Sequence, residues 1–472
     1  MKTNICALVL ALLMTPSACD SSSLSVPSHA DASTKAKDGS SNVDASPISQ
    51  TPSASGQCPE GYTPCGKGDG PYCYDLTRSQ DHCGTCEASC AAGIACQAGN
   101  CQQYGCKGAL SFKTMVFGST GTVGALGDFD GDGILDLFGS PEADGSMSVL
   151  YGSGDGTFST RQVVVPSSGL TSPDSNIPVF VGWQALAADL DGDGHLDLTS
   201  IQTYESAVTI RLGSGSRQAP FGEPTSYPTS TSPSSVVLAD FDADGRLDIV
   251  AGVSQALDYW RGRGGGRFEH QALLDSRDVS NEGPGITLAT DWNGDGVLDL
   301  VYADSGFSGK SASPAIGSGG RLHYRLSNGD GTFGPEVACA MNQGIVGDLD
   351  HDNRPDVISA SSIMGSTLSL GIKGCGASTV VNISDWTKQG GVALADLNGD
   401  GNLDVIVDDN LAIMVHVGDG KGGFPHALTL PAPTAGSWPL GSFFVGDLNR
   451  DGKLDVVFAR GGGWGVLLNT CQ

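Results

Sequence analysis

Seven short stretches of this 472-residue chain repeat one arrangement of oxygen-bearing side chains, Asp-apolar-(Asp/Asn)-x-Asp-(Gly/Asn)-x-x-Asp. They are 128–136 (DFDGDGILD), 189–197 (DLDGDGHLD), 240–248 (DFDADGRLD), 291–299 (DWNGDGVLD), 348–356 (DLDHDNRPD), 396–404 (DLNGDGNLD) and 447–455 (DLNRDGKLD). Oxygens at positions 1, 3, 5 and 9, with a backbone carbonyl at 7, make the ring of hard ligands that Ca²⁺ takes, and Gly at position 6 permits the sharp turn that wraps them. The candidate ligands are Asp128, Asp130, Asp132 and Asp136 in the first loop, Asp189, Asp191, Asp193 and Asp197 in the second, and Asp240, Asp242, Asp244 and Asp248 in the third. The fourth offers Asp291, Asn293, Asp295 and Asp299, and the fifth Asp348, Asp350, Asp352 and Asp356. The sixth offers Asp396, Asn398, Asp400 and Asp404, and the seventh Asp447, Asn449, Asp451 and Asp455.

One such loop reads as a β-turn, where Asp and Gly are common. Seven copies crowd 25 acidic side chains at fixed spacing, and like charges so placed repel unless a cation lies between them. Up to seven Ca²⁺ are therefore expected. The spacing matches the first half of an EF-hand loop, but the Glu at position 12 is missing, which excludes that motif. Asn293, Asn398 and Asn449 replace a carboxylate by an amide, so loops four, six and seven are expected to bind more weakly. Asn353 stands at position 6 of the fifth loop, beside Pro355; Asn is the residue after Gly that best tolerates a left-handed backbone. The apolar position 2 (Phe129, Leu190, Phe241, Trp292, Leu349, Leu397, Leu448) is expected to pack between repeats.

The first residues of the loops lie 61, 51, 51, 57, 48 and 51 positions apart, a period that marks repeated supersecondary units. Around each loop the strand pattern is the same: a short apolar strand before it (TVGAL), another after it (LDIVAG), a third (SVLYG) closed by a turn such as GDGTF, and a fourth (STRQVVV). Four antiparallel strands repeated seven times predict an all-β chain, a seven-bladed β-propeller that leaves no long sheet edge exposed. The seventh unit stops after its third strand, GWGVLLN, while ALSFKTMVF at 109–117 has the pattern of a fourth strand. Cys471 follows the one and Cys106 precedes the other, so a Cys106–Cys471 disulfide is predicted in place of the missing turn. Cys339 and Cys375, in neighbouring units, form the second predicted pair.

The loops resemble the calcium blades of the integrin-α-like FG-GAP/VCBS repeat family, and the resemblance covers all seven copies. It implies a calcium-binding propeller and carries over no integrin ligand.

The amino terminus reads as a signal peptide at 1–18, with one Lys, an apolar run too short to span a bilayer and small residues after it. TPSAC resembles a bacterial lipobox with Cys19 as the lipidated residue; plain cleavage and secretion is the alternative. Residues 19–57, rich in Ser, Asp and Pro, predict a disordered stalk. Nine cysteines between Cys58 and Cys106 predict a disulfide-rich module over 58–106, with a zinc half-site at Cys83 and Cys86 as the other reading. This stretch looks like the short Cys-rich repeats of myxobacterial surface proteins. The propeller takes 107–472.

Function must be compatible with 52 acidic against 25 basic residues, a net charge of −27, which excludes a phosphate-binding surface and nucleic acid as partner. Catalytic motifs are absent: there is no HExxH, SGKS at 308–311 lacks phosphate-loop spacing, and the eight histidines form no ligand-spaced pair. The expectation is a monomeric cell-surface binding or adhesion module, touching the membrane only through its lipid, with a surface protein or glycan as partner. Its recognition surface is expected on the rim opposite the calcium loops, where connections at 165–179, 224–235, 303–319 and 431–440 vary and Tyr204, Phe307 and Trp438 are candidate stacking residues. The alternatives are a sugar lectin and a polysaccharide lyase.

Overall fold

The computed structural model describes residues 109–118, 122–140, 146–166, 184–202, 206–254, 256–275, 284–304, 321–342, 344–361, 365–369, 391–408, 412–431, 442–460 and 463–471, and before them only short pieces at 49–50, 58, 63–65, 72–74, 76, 96–97, 100–101 and 106. The predicted signal peptide, Cys19, Cys375, Tyr204, Phe307 and Trp438, with most of the stalk and cysteine-rich module, lie outside the described residues.

The third repeat shows the unit. Ser235–Ala239 runs into the acidic loop, Asp248–Val253 returns from it, and Ala256–Gly262 and Phe268–Asp275 follow as an antiparallel meander. Its first two strands, SVVLA and DIVAGV, are buried at every residue, as continuous apolar runs are when both faces of a strand are covered. From residue 109 onward the described residues form six such four-stranded antiparallel sheets and one of three strands, Gly344–Gly347, Asp356–Ser361 and Gly365–Ser369. Together they make a propeller-like ring. Among the described residues no helix is long and apolar enough to cross a membrane.

Apolar cores lie between successive sheets, and the residue at loop position 2 sits in each. Phe129 packs on Ala185, Ala187 and Leu198 of the next sheet; Phe241 packs with Leu300 and Tyr302; Leu448 packs with Val123, Leu126 and Leu137, joining the last sheet to the first. All seven position-2 side chains are buried, and each contributes on the order of 1.5–3 kcal/mol by leaving water.

The ring closes as the sequence predicts. Ser442–Gly446, Asp455–Arg460 and Gly463–Asn469 take their fourth strand from Phe112–Gly118, with Asn469 opposite Phe112 and Trp464 opposite Gly118. Cys106 and Cys471 are joined by a disulfide with their Cα atoms 5.4 Å apart, and Thr470 N–H donates to Ser111 O at 2.8 Å beside it. Cys339 is buried and disulfide-bonded.

Changing Cys106 and Cys471 together to Ser should leave the β-sheet circular dichroism intact while lowering the unfolding free energy by about 2–5 kcal/mol. Denaturant unfolding tests this, and a variant as stable as the parent would mean that strand pairing alone closes the ring.

Candidate metal centre

Each acidic loop is shaped by two left-handed residues. At position 6 φ runs from 77° at Gly133 to 90° at Gly401, and Asn353 adopts 60° in the fifth loop. Position 4 is left-handed as well: Gly131, Gly192, Gly294 and Gly399 take this freely, whereas Ala243, His351 and Arg450 are held at 57°, 61° and 60°, each at a cost of about 1–2 kcal/mol. Holding side chains there against that cost shows how strongly the loop geometry is determined.

The outcome is a set of N–H groups aimed at the position-1 carboxylate. Gly131 and Asp132 N–H donate to Asp128 Oδ1 at 2.8 and 3.1 Å, and Gly133 N–H donates to Oδ2 at 2.7 Å. The position-6 bond recurs on Asp189, Asp240, Asp291, Asp348, Asp396 and Asp447 at 2.8–3.0 Å.

Position 9 ties the loop to the sheet. Asp136, Asp197, Asp248, Asp299, Asp356, Asp404 and Asp455 are fully buried, and in all seven loops Oδ2 accepts the N–H of position 2 at 2.7–3.0 Å. In six loops Oδ1 accepts a second N–H at 2.7–2.9 Å from the far end of the third strand: Gly152, Gly213, Gly262, Ser327, Gly418 and Asn469. The approach is close. A Cβ on Gly262 would lie 2.3 Å from Leu247 O.

Four loops bring three carboxylates together with one oxygen of each within 4.8 Å of the others: Asp128, Asp130 and Asp136; Asp189, Asp191 and Asp197; Asp240, Asp242 and Asp248; Asp348, Asp350 and Asp356. Loops four, six and seven have an amide in place of the middle carboxylate. The position-5 side chains Asp132, Asp193, Asp244, Asp295, Asp352, Asp400 and Asp451 stand outside these clusters, with Oδ1 accepting the N–H of position 7 at 2.8–3.0 Å.

The electrostatics of the clusters call for positive charge. Burial pushes Asp136, Asp197 and Asp248 up to about 8 and Asp189, Asp240, Asp299, Asp404 and Asp455 up to about 7, against the backbone bonds that pull the other way, and neighbouring carboxylates add to the rise. Asp348 Oδ1 is buried with no hydrogen-bond partner. Hard oxygens, converging and under-neutralised, suit a divalent cation. Two sets of residues escaped the sequence reading. The donor ending the third strand is Gly in four of the six loops, Gly152, Gly213, Gly262 and Gly418, a partial periodic signal; Arg217 and Arg261, which ion-pair with loop carboxylates, carry no periodic signal.

No curated protein sequence matches this chain. Among solved structures, a lectin from Agrocybe aegerita described as recognising non-reducing terminal N-acetylglucosamine shares 20% identity over 76% of this chain and 88% of its own, with a TM-score of 0.48. The virginiamycin B lyase of Staphylococcus aureus shares 10% identity over 76% of this chain and 99% of its own, with a TM-score of 0.45. The FG-GAP-like repeat family matches residues 128–200, 189–251, 240–302, 348–407 and 396–458, each stretch starting at the first Asp of one acidic loop and running past the next. By those matches and the acidic-loop sheets they cover, the chain belongs to the FG-GAP-like repeat family.

Proposed function

We propose that this chain is an exported propeller of seven blades, with the three-stranded sheet as the fifth, which is stabilised by up to seven Ca²⁺ and acts by binding a glycan or surface protein rather than by catalysis. The observation that carries the reading is the convergence of buried carboxylates in the loops, whose burial and mutual repulsion a divalent cation would relieve. Positions 1, 3 and 9 would hold the ion, with position 5 as a further ligand. Bound Ca²⁺ would supply charge neutralisation; the chain's own residues fix the loop, through the N–H groups on Asp128 and Asp136 and their counterparts.

Location follows from the amino terminus: a signal at 1–18, a lipid on Cys19, a stalk over 19–57 and a disulfide module at 58–106 would carry the propeller, 107–472, away from the membrane. Turns between the third and fourth strands sit beside the acidic loops, as Gly422 N–H donating to Leu349 O at 3.1 Å shows for one of them. The opposite rim is left for recognition, and rigid scaffolds commonly place recognition on variable loops. A glycan array and a surface-protein pull-down with the calcium-loaded protein address this directly; saturable binding that is lost on chelation supports the reading, and turnover of a polysaccharide overturns the exclusion of catalysis.

Two outcomes are expected for the metal. Calcium at millimolar concentration should raise the melting temperature by about 10 °C or more, as a ligand that binds only the native state does, with five to seven ions counted by mass spectrometry on about the expected sites. An unchanged melting temperature with no bound ion would reduce the loops to turns. The pH dependence should reverse with loading. In the cation-free protein, carboxyls raised to about 7–8 in the fold keep protons that the unfolded chain, titrating near 3.8, has lost, so stability falls as pH rises between those values. Calcium requires the ionised form, so the loaded protein is weakened as pH falls. The gap between the two melting temperatures should widen from pH 5 to pH 8; parallel curves would contradict it.

A further inference from the structure

In two of the acidic loops an arginine of the chain itself spans the carboxylates of positions 3 and 5. In the first loop, Arg217 comes from the following sheet: its Nε pairs with Asp130 Oδ2 and its second guanidinium nitrogen with Asp132 Oδ2. In the third loop, Arg261 comes from the loop's own third strand, Ala256–Gly262: its Nε pairs with Asp242 Oδ2, and its second nitrogen stands 3.5 Å from Asp244 Oδ2. The two arginines occupy unrelated places in their repeats, yet each spans positions 3 and 5 with the same two nitrogens. The position-3 side chains they grip, Asp130 and Asp242, are 2% and 1% exposed, and both belong to the three-carboxylate clusters. The third loop is further satisfied from within: Arg246 pairs with Asp244 Oδ2 at 2.6 Å and Tyr259 O–H donates to Asp248 Oδ2 at 3.0 Å.

A planar guanidinium fork matches paired carboxylate oxygens and holds its charge at any accessible pH. A side chain tethered beside the loop also acts at high effective concentration, whereas Ca²⁺ must be drawn from solution.

We propose that Arg217 and Arg261 are resident cations of the first and third loops, gripping the carboxylates that Ca²⁺ needs. Calcium enters these two loops only by displacing the guanidinium from the position-3 aspartate, so they fill last and keep their shape when calcium is withdrawn. This rests on the calcium reading above and adds an order of loading among the sites.

The test uses Arg217→Met and Arg261→Met in the mature protein, which keep the aliphatic stem and remove the charge. Ions are counted by native mass spectrometry at about 10⁻⁵ M free calcium, below the range of extracellular modules, and at about 10⁻² M, above it; melting is followed in the metal-free and saturated states. Each variant should carry one more ion than the parent at the lower concentration and the same number at the higher, its engineered site tightened at least tenfold. The metal-free melting temperature should drop while the saturated one holds. Asp242→Asn in the parent should lose an ion only at the higher concentration. An unchanged count at low calcium, with both melting temperatures lowered equally, would make the arginines structural and overturn the proposal. A parent that binds no ion even at saturation would overturn the calcium reading itself, and this inference with it.

Discussion

The structure turns on a buried charge. Each position-9 aspartate lies inside the sheet, accepts one N–H from the start of its loop and, in six loops, another from the end of the third strand, so a single side chain fixes three segments of one repeat. An ionised carboxylate out of water is costly unless its hydrogen bonds and a countercharge offset the loss of solvation. Two backbone bonds do not suffice: burial still outweighs them at Asp136, Asp197 and Asp248, all raised to about 8. The side chain that organises the sheet is therefore one that the sheet cannot neutralise without help. A cation among positions 1, 3 and 9 would stabilise the loop and, through position 9, the first three strands together.

The loops also serve as joints between sheets. Ser327 O–H donates to Phe241 O at 3.3 Å, Asn469 Nδ2 donates to Leu397 O at 2.7 Å, and Arg450 Nε donates to Gly133 O at 3.0 Å, each bond crossing from one sheet to a neighbour's loop. His351 Nε2 lies 2.8 Å from Asn402 Oδ1, loop to loop. The position-2 side chain sits directly beneath these bonds in the intersheet core. Setting a loop's shape thus sets how the next sheet docks, and the effect reaches the seam, where Cys106 N–H donates to Asn398 O and Lys453 Nζ to Cys471 O, both at 2.7 Å.

What could be read from the sequence was whatever repeats or is local. The period, the strand pattern and the left-handed Asn353 follow from residues within one loop's reach, and the Cys106–Cys471 bond follows from noticing that one repeat lacks its last strand. The double duty of position 9 was hidden because its second donor lies 14 to 28 residues further on, a distance set by hairpin length and not by motif. The separation of position 5 from the clusters depends on side-chain direction, which spacing does not encode: Asp132 and Asp244 satisfy Oδ1 on their own position-7 N–H. Arg217 meets Asp130 across 87 residues, and no repeat pattern predicts a contact that occurs once.

Ring closure and cation loading would act on different states of the chain, so neither would make the other redundant. The disulfide spans 365 residues and acts chiefly by restricting the unfolded ensemble; it does nothing about carboxylates that repel each other in the folded one. A cation acts on the folded state, where the oxygens have been brought together, and has no preformed site in the unfolded chain. Small sheets of four strands with both faces apolar have no stable existence apart, so every sheet depends on two neighbours and the ring on its seam. Loss of the disulfide would therefore loosen one junction and widen the unfolded ensemble, whereas loss of cations, where the loops hold them, would weaken the hub of each such sheet. Loops in which a guanidinium grips the position-3 aspartate, as at Asp130 and Asp242, would feel that second loss least.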